Sequence, residues 1–302
     1  MRESIDVKDL SVSYGTLKAV DDISFSVNAG EIFGIIGENG AGKTTTVECI
    51  AGIKTNYSGT INVLGEDITK AKRSFYNRLS IQPQEASFPE KLKVGEIMKL
   101  FSSFYSFPLP YADLLEKLDV ADKVNSYYGN LSGGQKQKIS IIAAMISNAE
   151  VLILDELTTG LDPQSRLKTL NVIKEYSSGR TVIMTTHYLN EIEQLCNRVC
   201  ILKKGKIAGI GTLKELYKDN GIEYKVTVTT HDDKAKNLME AEFPNHFLLA
   251  SGVQISLFGN DPNMKNLLES ILRNNGILYS SIENQYTNAD DLYFKLFDKN
   301  CD

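Results

Sequence analysis

The chain has 302 residues, of which 42% are hydrophobic, so it is long enough for one large domain, or for one large and one small domain, with ample core. Lys and Arg number 33 against 38 Asp and Glu, which gives a net charge of -5 and excludes the strongly basic surface of a nucleic-acid-binding protein. We therefore expect no nucleic-acid partner.

The start of the chain and its cysteines predict a protein made and kept in the cytosol. The first ten residues, MRESIDVKDL, lack the apolar run of a secretion signal, and the longest apolar runs, such as 139–146, are far too short to span a bilayer. The four cysteines, Cys49, Cys196, Cys200 and Cys301, have neither metal-site spacing nor a neighbouring His. Reduced structural thiols are the expectation.

Short apolar, β-branched runs recur through the first 220 residues and alternate with segments of helical period. This pattern predicts an α/β fold with a buried parallel core and some antiparallel strands. The predicted strands are 5–12, 23–27, 32–36, 60–64, 151–154, 181–185 and 199–202. A turn at Lys204 and Gly205 predicts a closing hairpin. The mostly helical stretch from 90 to 146, with breaks at SFPLP and at a glycine pair, predicts a helical subdomain at about 86–147.

The pattern changes after about residue 221, where seven basic and twelve acidic residues account for the whole net charge. The predicted elements are a strand at 224–230, a helix at 233–242, strands at 247–251 and 253–259, a helix at 263–274, a strand at 277–282 and a last helix at 290–297. The order βαββαβ is the ferredoxin-like arrangement. We therefore predict two domains, 1–220 and 221–302, the second a small α+β domain.

The segment GENGAGKT at 37–44 has the pattern of a phosphate-binding loop. It follows the apolar run IFGIIG and precedes TTVECIAGI, which can continue as a helix, and this context argues against a chance glycine-rich turn. The glycines let the backbone wrap phosphates, Lys43 offers a charge to the β and γ oxygens, and Thr44 offers a hydroxyl to Mg²⁺. The predicted nucleotide-binding residues here are Gly37, Glu38, Asn39, Gly40, Ala41, Gly42, Lys43, Thr44 and Thr45.

The run VLILDE predicts a buried strand whose end delivers two carboxylates to the same sheet edge. Asp155 suits the role of holding Mg²⁺ through water, and Glu156 that of a general base toward the water that attacks the γ-phosphate. An acidic pair after a strand is by itself more often a solvated strand end. The assignment therefore depends on the phosphate-binding loop.

A second glycine-rich segment, LSGGQ at 131–135, lies directly ahead of an apolar run of helix length. Glycines at a helix N-terminus suit an anion, yet this segment has no Lys. We expect that two copies pack head to tail, so that Ser132, Gly133 and Gly134 of one chain reach the γ-phosphate held by Lys43 of the other.

These motifs resemble those of the ATP-binding cassette proteins, the nucleotide-binding subunits of ABC transporters, in the family's order over about residues 1–217. LSGGQ is that family's signature. The resemblance implies a P-loop NTPase cassette with a RecA-like core, an antiparallel β subdomain and a helical subdomain, which hydrolyses ATP with Mg²⁺. The residues that the resemblance adds are Tyr14 stacking on adenine, Gln84 touching Mg²⁺ and water, Gln135 in the signature, Asp162 across the dimer interface and His187 on the γ-phosphate.

The resemblance thus implies a catalytic set of Lys43, Gln84, Glu156 and His187 and a metal set of Thr44, Gln84 and Asp155. Taken singly, a Tyr such as Tyr14 is more often an ordinary strand aromatic and a His such as His187 more often a structural histidine, and Gln84 also fits a loop amide. Their joint order favours the functional interpretation. His231 and His246 have no such support and are interpreted as structural.

The sequence departs from the family pattern at two places. Leu157 and Thr159 stand where the family usually has Pro and Ser, and Lys138 stands where it often has Arg. Leu loosens a backbone restraint, Thr keeps the hydroxyl, and Lys keeps the charge without the guanidinium fork. Neither departure removes a group that the chemistry needs, so an active ATPase is expected.

The resemblance to bacterial exporter cassettes implies two partners, a second copy or a related cassette subunit and an integral membrane transporter subunit. It implies a cytoplasmic location, peripheral at the inner face of the cell membrane. Phe101, Phe104, Tyr105 and Phe107 either line the groove that takes a helix of the membrane partner or belong to the helical core. The 221–302 domain is regulatory, supports the dimer, or is an inert appendage.

Two other function classes compete with a transporter ATPase. A cassette ATPase of translation or DNA repair usually has two cassettes in one chain or long coiled coils, whereas this sequence has one cassette and no sustained heptads. A non-hydrolysing interaction module is opposed by the presence of both Glu156 and His187.

Overall fold

The structure, a computed structural model, describes residues 2–297, and its contacts divide the chain into two compact units, one ending at Ile210 and one beginning at Gly211. The boundary predicted after residue 220 lies beyond this division. The helix Leu213–Asp219 contacts the last described helix, and Asn260 Nδ2 donates a hydrogen bond of 2.8 Å to the Lys218 carbonyl. These contacts join 213–219 to the second unit.

The first unit contains two sheets and the helices that cover them. Its strands are β1 Glu3–Tyr14, β2 Leu17–Asn28, β3 Ile32–Gly37, β4 Ser58–Val63, β5 Glu66–Asp67, β6 Leu79–Gln82, β7 Val151–Asp155, β8 Thr181–Thr186, β9 Arg198–Lys203 and β10 Lys206–Gly211. Its helices are α1 Lys43–Ile50, α2 Val94–Ser102, α3 Tyr111–Lys117, α4 Gly133–Met145, α5 Pro163–Tyr176 and α6 Leu189–Leu195. The α/β class predicted from the sequence is confirmed.

The larger sheet has six strands in the order β10-β9-β3-β8-β7-β6, and the run from β9 to β6 is parallel. The smaller sheet, β2-β1-β4-β5, is antiparallel. Strand β10 follows β9 through the turn at Lys204 and Gly205 and pairs with it, as the predicted closing hairpin requires. Strand β6 was not predicted, because a run of four residues gives too short a pattern to be distinguished from a loop.

The parallel strands are buried on both faces, which explains their continuous apolar runs. Because side chains alternate along a strand, Leu152 and Leu154 of β7 enter one apolar cluster and Ile153 enters the other. The first cluster includes the apolar faces of α2, α3 and α4. The second includes α1 and the inner face of the antiparallel sheet.

The glycine pair, where the sequence predicts a break in the helical region ahead of a new helix, begins α4. Ser132 is the N-cap residue: its Oγ accepts a hydrogen bond of 3.3 Å from the Gln135 N–H, and Gln135 Oε1 accepts one of 3.0 Å from the Ser132 N–H. Such a reciprocal capping box fixes the start of a helix. Gly133 and Gly134 are therefore the first residues of α4.

Ion pairs join neighbouring strands at the amino-terminal edge of the parallel sheet. Arg198, which begins β9, lies 3.3 Å from Glu31, which precedes β3. Arg78, which precedes β6, pairs in the same way with Glu150, which precedes β7. This edge therefore contains structural charges, away from the opposite edge where the strands end.

From residue 224 onward the second unit has the element order that the sequence predicts, and a helix that was not predicted precedes it. It contains α7 Leu213–Asp219, β11 Tyr224–Thr229, α8 Lys234–Glu242, β12 Phe247–Ser251, β13 Gln254–Gly259, α9 Met264–Asn274, β14 Ser281–Tyr286 and α10 Ala289–Phe297. The four strands form an antiparallel sheet in the order β12-β13-β11-β14, and α8 and α9 pack on it. The last strand begins later than the predicted 277, because Ile277 is buried in the core without pairing, whereas Ser281 is the first residue paired with β11.

Within residues 2–297, no helix has the length and apolarity needed to cross a bilayer. Cys49 and Cys200 are buried free thiols and Cys196 is a partly exposed one. Cys301 lies outside the described residues.

Candidate active site

Four parallel strands bring the predicted motifs to one edge of the sheet. Strand β3 ends at Gly37 and leads into the phosphate-binding loop, and β7 ends at Asp155. Strand β8 ends one residue before His187, and β6 ends two residues before Gln84. Because these strands are parallel, their carboxyl ends lie at the same edge, where ligands bind in open α/β sheets.

A cavity of about 290 Å³ lies at this edge. The predicted residues that line it are Tyr14, Asn39, Gly40, Gly42, Lys43, Thr44, Thr45, Gln84 and Glu156. Residues from four separate stretches of sequence thus meet at one cavity, as a nucleotide site requires.

The phosphate-binding loop has a backbone that only glycine allows at Gly42. Its φ is 102°, and a Cβ there would lie 2.5 Å from the Ala19 carbonyl oxygen. The next residue, Lys43, begins α1, and its Nζ donates hydrogen bonds to the carbonyls of Gly37 at 2.9 Å and Glu38 at 3.1 Å. Burial lowers the pKa of Lys43, and the nearby carboxylates of the acidic pair oppose that shift. The loop thus joins a helix N-terminus and an ammonium group, both of which attract an anion.

Asp155 lies buried behind the loop. Burial raises the pKa of its carboxyl, and hydrogen bonds from the Thr185 and Thr44 side chains oppose the shift. The described residues contain no group of three or more His, Cys, Asp or Glu that would hold a metal ion by themselves. The Asp155 carboxylate and the Thr44 hydroxyl nevertheless suit Mg²⁺ as ligands. This ion keeps several waters and binds through one or two carboxylates together with substrate phosphates.

Glu156 has a left-handed backbone, with φ of 49°, which is uncommon for a residue other than glycine. Its N–H is within hydrogen-bonding distance of both the carbonyl and the hydroxyl of Thr185, at 3.1 and 3.0 Å. Gln84 Nε2 donates to Glu156 Oε2 at 3.1 Å, and His187 Nδ1 lies 3.9 Å from Glu156 Oε1. Strained backbones of this kind cluster at functional sites. The structure therefore brings three of the predicted catalytic residues into one group.

Tyr14, at the end of β1, lines the cavity and is half exposed, so it is not an ordinary core aromatic. Its hydroxyl lies 3.5 Å from Thr45 Oγ1. The Lys54 ammonium lies 4.0 Å from the centre of its ring. These contacts hold a flat aromatic surface at the edge of the cavity.

The signature segment and Asp162 lie outside this cavity of their own chain. Ser132 and Gly133 are exposed, and a Cβ on Gly133 would meet nothing within 4 Å. Asp162 is the N-cap of α5: its Oδ1 accepts a hydrogen bond of 2.9 Å from the Ser165 N–H, and hydrogen bonds with Ser165 lower its pKa. Each segment is ordered locally and faces solvent.

Sequence reasoning missed Glu191, a fully buried carboxylate in α6 that binds the side chains of Thr158 and Thr186. The pattern that indicates it is present in the sequence. Residues 191 and 195 are one helical turn apart, so an acidic residue falls on the same face as buried Leu195. A charge on an apolar helix face needs a partner when it is buried.

The four aromatic residues predicted to line a partner groove or the helical core, Phe101, Phe104, Tyr105 and Phe107, lie in two different environments. Phe101 and Tyr105 pack against the first apolar cluster and also line a second cavity, of about 440 Å³, beside the segment that contains Gln84. Phe104 and Phe107 are exposed and do not line it.

Comparison with known proteins gives the chain's relatives. The family model described as ABC transporter matches residues 20–159. Nod factor export ATP-binding protein I of Burkholderia orbicola is 35% identical over 208 residues, covering 67% of this chain and 68% of that protein. The linearmycin resistance ATP-binding protein of Bacillus subtilis is 36% identical over 218 residues, covering 70% of each.

Solved structures agree with these relatives. A structure described as the ATP binding subunit of an ABC transporter has a TM-score of 0.65 and 28% identity, covering 71% of this chain and 92% of that one. A bacterial Atm1-family ABC exporter with ATP bound has a TM-score of 0.66 and covers 73% of this chain and 40% of that one. At 24% identity, the second likeness concerns the fold alone.

Proposed function

Because the chain belongs to the ABC transporter family, as an ATP-hydrolysing, ATP-binding subunit of the exporter type, we propose that hydrolysis takes place at the edge cavity and needs a second copy. The observation that supports the location most directly is that one cavity is lined by residues far apart in the sequence. The phosphate-binding loop, Gln84 and Glu156 all line it.

The residues at the edge cavity bind the nucleotide and activate the attacking water. Tyr14 stacks on adenine, and Lys43 with the N-terminus of α1 offsets the charge of the phosphates. The oxygen of a water attacks the γ-phosphorus and the bond to the bridging oxygen breaks, giving ADP and inorganic phosphate. Glu156 accepts a proton from that water, while Gln84 and His187 orient the water and the γ-phosphate.

Mg²⁺, when bound, neutralises charge on the β and γ oxygens. The Thr44 hydroxyl and the Asp155 carboxylate would hold it, and their oxygen chemistry suits that ion. Gln84 would touch both the metal and the water, and in the structure its Nε2 donates a hydrogen bond to Glu156 Oε2.

A second copy would complete the site. Ser132, Gly133, Gly134, Gln135 and Asp162 lie outside the cavity of their own chain, on surfaces that a head-to-tail partner can reach. In such a pair each signature segment faces the γ-phosphate held by Lys43 of the other copy, and the two contacts are equivalent by two-fold symmetry.

Mixing two inactive variants tests this arrangement. In a dimer of one Lys43→Ala chain and one Ser132→Arg chain, one site has both lesions and the other has none, so we expect ATPase activity to return. Each single variant alone should stay inactive, because every site of its homodimer has one lesion. A mixture of the two variants that stays as inactive as each variant alone would contradict a site shared between copies.

We further propose that this subunit works at the inner face of the cell membrane, on a separate membrane subunit. The cavity lined by Phe101 and Tyr105 lies beside the segment of Gln84, so a partner helix seated there would act on the catalytic group. Replacing Phe101 by Cys should allow a cross-link to a co-purified membrane protein, whereas the same change at Leu167, an exposed residue of α5, should not. Ribosome association instead would favour the translation class.

We infer that about residues 221–302, the part of the second unit that follows α7, form a ferredoxin-like accessory domain. Its strand order β12-β13-β11-β14, with a helix after the first and third strands, supports this assignment.

A further inference from the structure

A buried group of side chains joins the loop after β7 to the segment after β8. Glu191 in α6 has no exposed surface and accepts hydrogen bonds from the hydroxyls of Thr158 and Thr186, the latter at 2.7 Å. Thr158 lies two residues after Glu156, and Thr186 lies one residue before His187. Both proposed catalytic side chains are thus attached to backbone that Glu191 holds.

The same carboxylate faces a charged residue of α5. Arg166 Nε lies 3.7 Å from Glu191 Oε1, too far for a charge-assisted hydrogen bond of about 2.7–2.9 Å. The Arg166 guanidinium lies 3.7 Å from the centre of the Tyr188 ring, whose centre is 4.1 Å from that of His187. The Tyr188 N–H donates to Thr186 Oγ1 at 2.9 Å. Glu191 therefore reaches His187 along two routes, one through Thr186 and one through Arg166 and Tyr188.

The loop after β7 has a further contact with the helix that begins in the signature segment. Gln137 Nε2 of α4 donates to the Leu157 carbonyl at 2.8 Å, next to Thr158. The region that Glu191 holds therefore joins α4, the loop after β7, the start of α5 and the segment of His187.

Burying a carboxylate is costly, and an apolar group of similar volume often serves stability equally well. Two hydroxyl donors and one cation converge on Glu191 from three separate elements. An apolar side chain would fill the space without holding these donors in one geometry.

We propose that Glu191 is a positioning residue for ATP hydrolysis, which fixes the backbone of Glu156 and His187 through Thr158, Thr186 and Arg166. It does not touch the nucleotide. This inference rests on the roles proposed above for Glu156 and His187.

Steady-state kinetics of Glu191→Gln test the proposal. A catalytic group displaced by about 1 Å can cost roughly 100-fold in rate, so we expect kcat to fall roughly 10- to 100-fold while KM for ATP changes by less than about 2-fold. Glu31→Gln is the matched control, because Glu31 is also a buried carboxylate paired with an Arg, at the opposite edge of the sheet. It should leave kcat and KM within about 2-fold of the parent. An unchanged kcat in Glu191→Gln, or a change in KM alone, would overturn the proposal.

A double variant distinguishes positioning from general weakening of the fold. Because part of the action of Glu191 is proposed to pass through His187, the kcat loss of the Glu191→Gln, His187→Ala double variant should be clearly smaller than the product of the two single losses. Full multiplication of the two losses would contradict action through His187. Thr186→Val should reproduce the kcat loss, whereas Thr169→Val, at a buried threonine that donates within α5, should not.

Hydrogen exchange separates this inference from the proposed function. In Glu191→Gln the amides of residues 157–159 and 186–188 should exchange faster, while Glu31→Gln should leave them unchanged. If Glu156→Gln and His187→Ala both hydrolyse ATP at the parent rate, the proposed roles fail, whatever the exchange shows. If those variants are inactive but exchange in Glu191→Gln is unchanged, the positioning role fails alone.

Discussion

Replacing Glu156 by Gln keeps the size of the side chain and removes its ability to accept a proton. The amide oxygen can still accept the hydrogen bond that Gln84 Nε2 donates at 3.1 Å, so the group around it should stay in place. General-base catalysis contributes roughly 10²- to 10⁴-fold, so kcat should fall by at least about 100-fold, equivalent to about 2.7 kcal/mol of activation free energy. KM should change little, because the phosphate-binding loop is untouched.

The assay has two parts, phosphate release and size-exclusion chromatography with ATP and Mg²⁺. Glu156→Gln should bind ATP without turning it over, so a dimer should accumulate with ATP and not with ADP. The matched control is Glu150→Gln at the other end of β7, where only an exposed ion pair with Arg78 is lost, worth about 0–1 kcal/mol of stability. Hydrolysis by Glu156→Gln at the parent rate, or an equal loss in Glu150→Gln, would refute the assignment of Glu156 as the base.

Three further predictions concern the loop, the thiols and a buried carboxylate. Gly42→Ala should lose ATP binding in a nucleotide-fluorescence assay, whereas Gly40→Ala, whose Cβ would meet no neighbour within 4 Å, should bind more weakly but measurably; equal binding by both would contradict the steric argument. Burial raises the pKa of Cys49 and Cys200 to about 12, so mass spectrometry should find neither thiol alkylated after native treatment at pH 8, and rapid labelling would contradict their burial. Burial also raises the pKa of Glu191 above the 4.5 of the unfolded chain. The contribution of Glu191 to stability is therefore present below pH 4.5 and is lost as the pH rises through the folded pKa. The Tm of Glu191→Gln should rise relative to that of the parent from pH 4.5 to 7.5, and parallel curves would contradict this.

The sequence alone predicted the parts of this molecule that depend on local pattern. The phosphate-binding loop, the VLILDE strand and the element order of the second unit each occupy one continuous stretch, and the structure has them where expected. Strand β6 was not predicted, because four residues show too little periodicity. The start of β14 was predicted too early, because Ile277 is buried but does not pair with a strand. A local sequence pattern thus predicts which residues are buried better than it predicts which residues pair in a sheet.

Glu191 was missed for a different reason. Its partners Thr158, Thr186 and Arg166 come from other elements, and only the folded chain brings them to it. A single acidic residue in a short helix looks like part of a solvated face until the helix is docked. The mutual approach of Gln84, Glu156 and His187 likewise follows from the parallel order of β6, β7 and β8, which no one segment encodes.

The ion pairs at the amino-terminal edge of the parallel sheet and the proposed catalytic group at its carboxyl edge are separated by the length of the strands. Substitutions at pairs such as Glu31 with Arg198 can therefore change thermal stability while kcat stays constant. Mutagenesis that aims at a more thermostable variant of this enzyme should begin at the amino-terminal edge of the sheet.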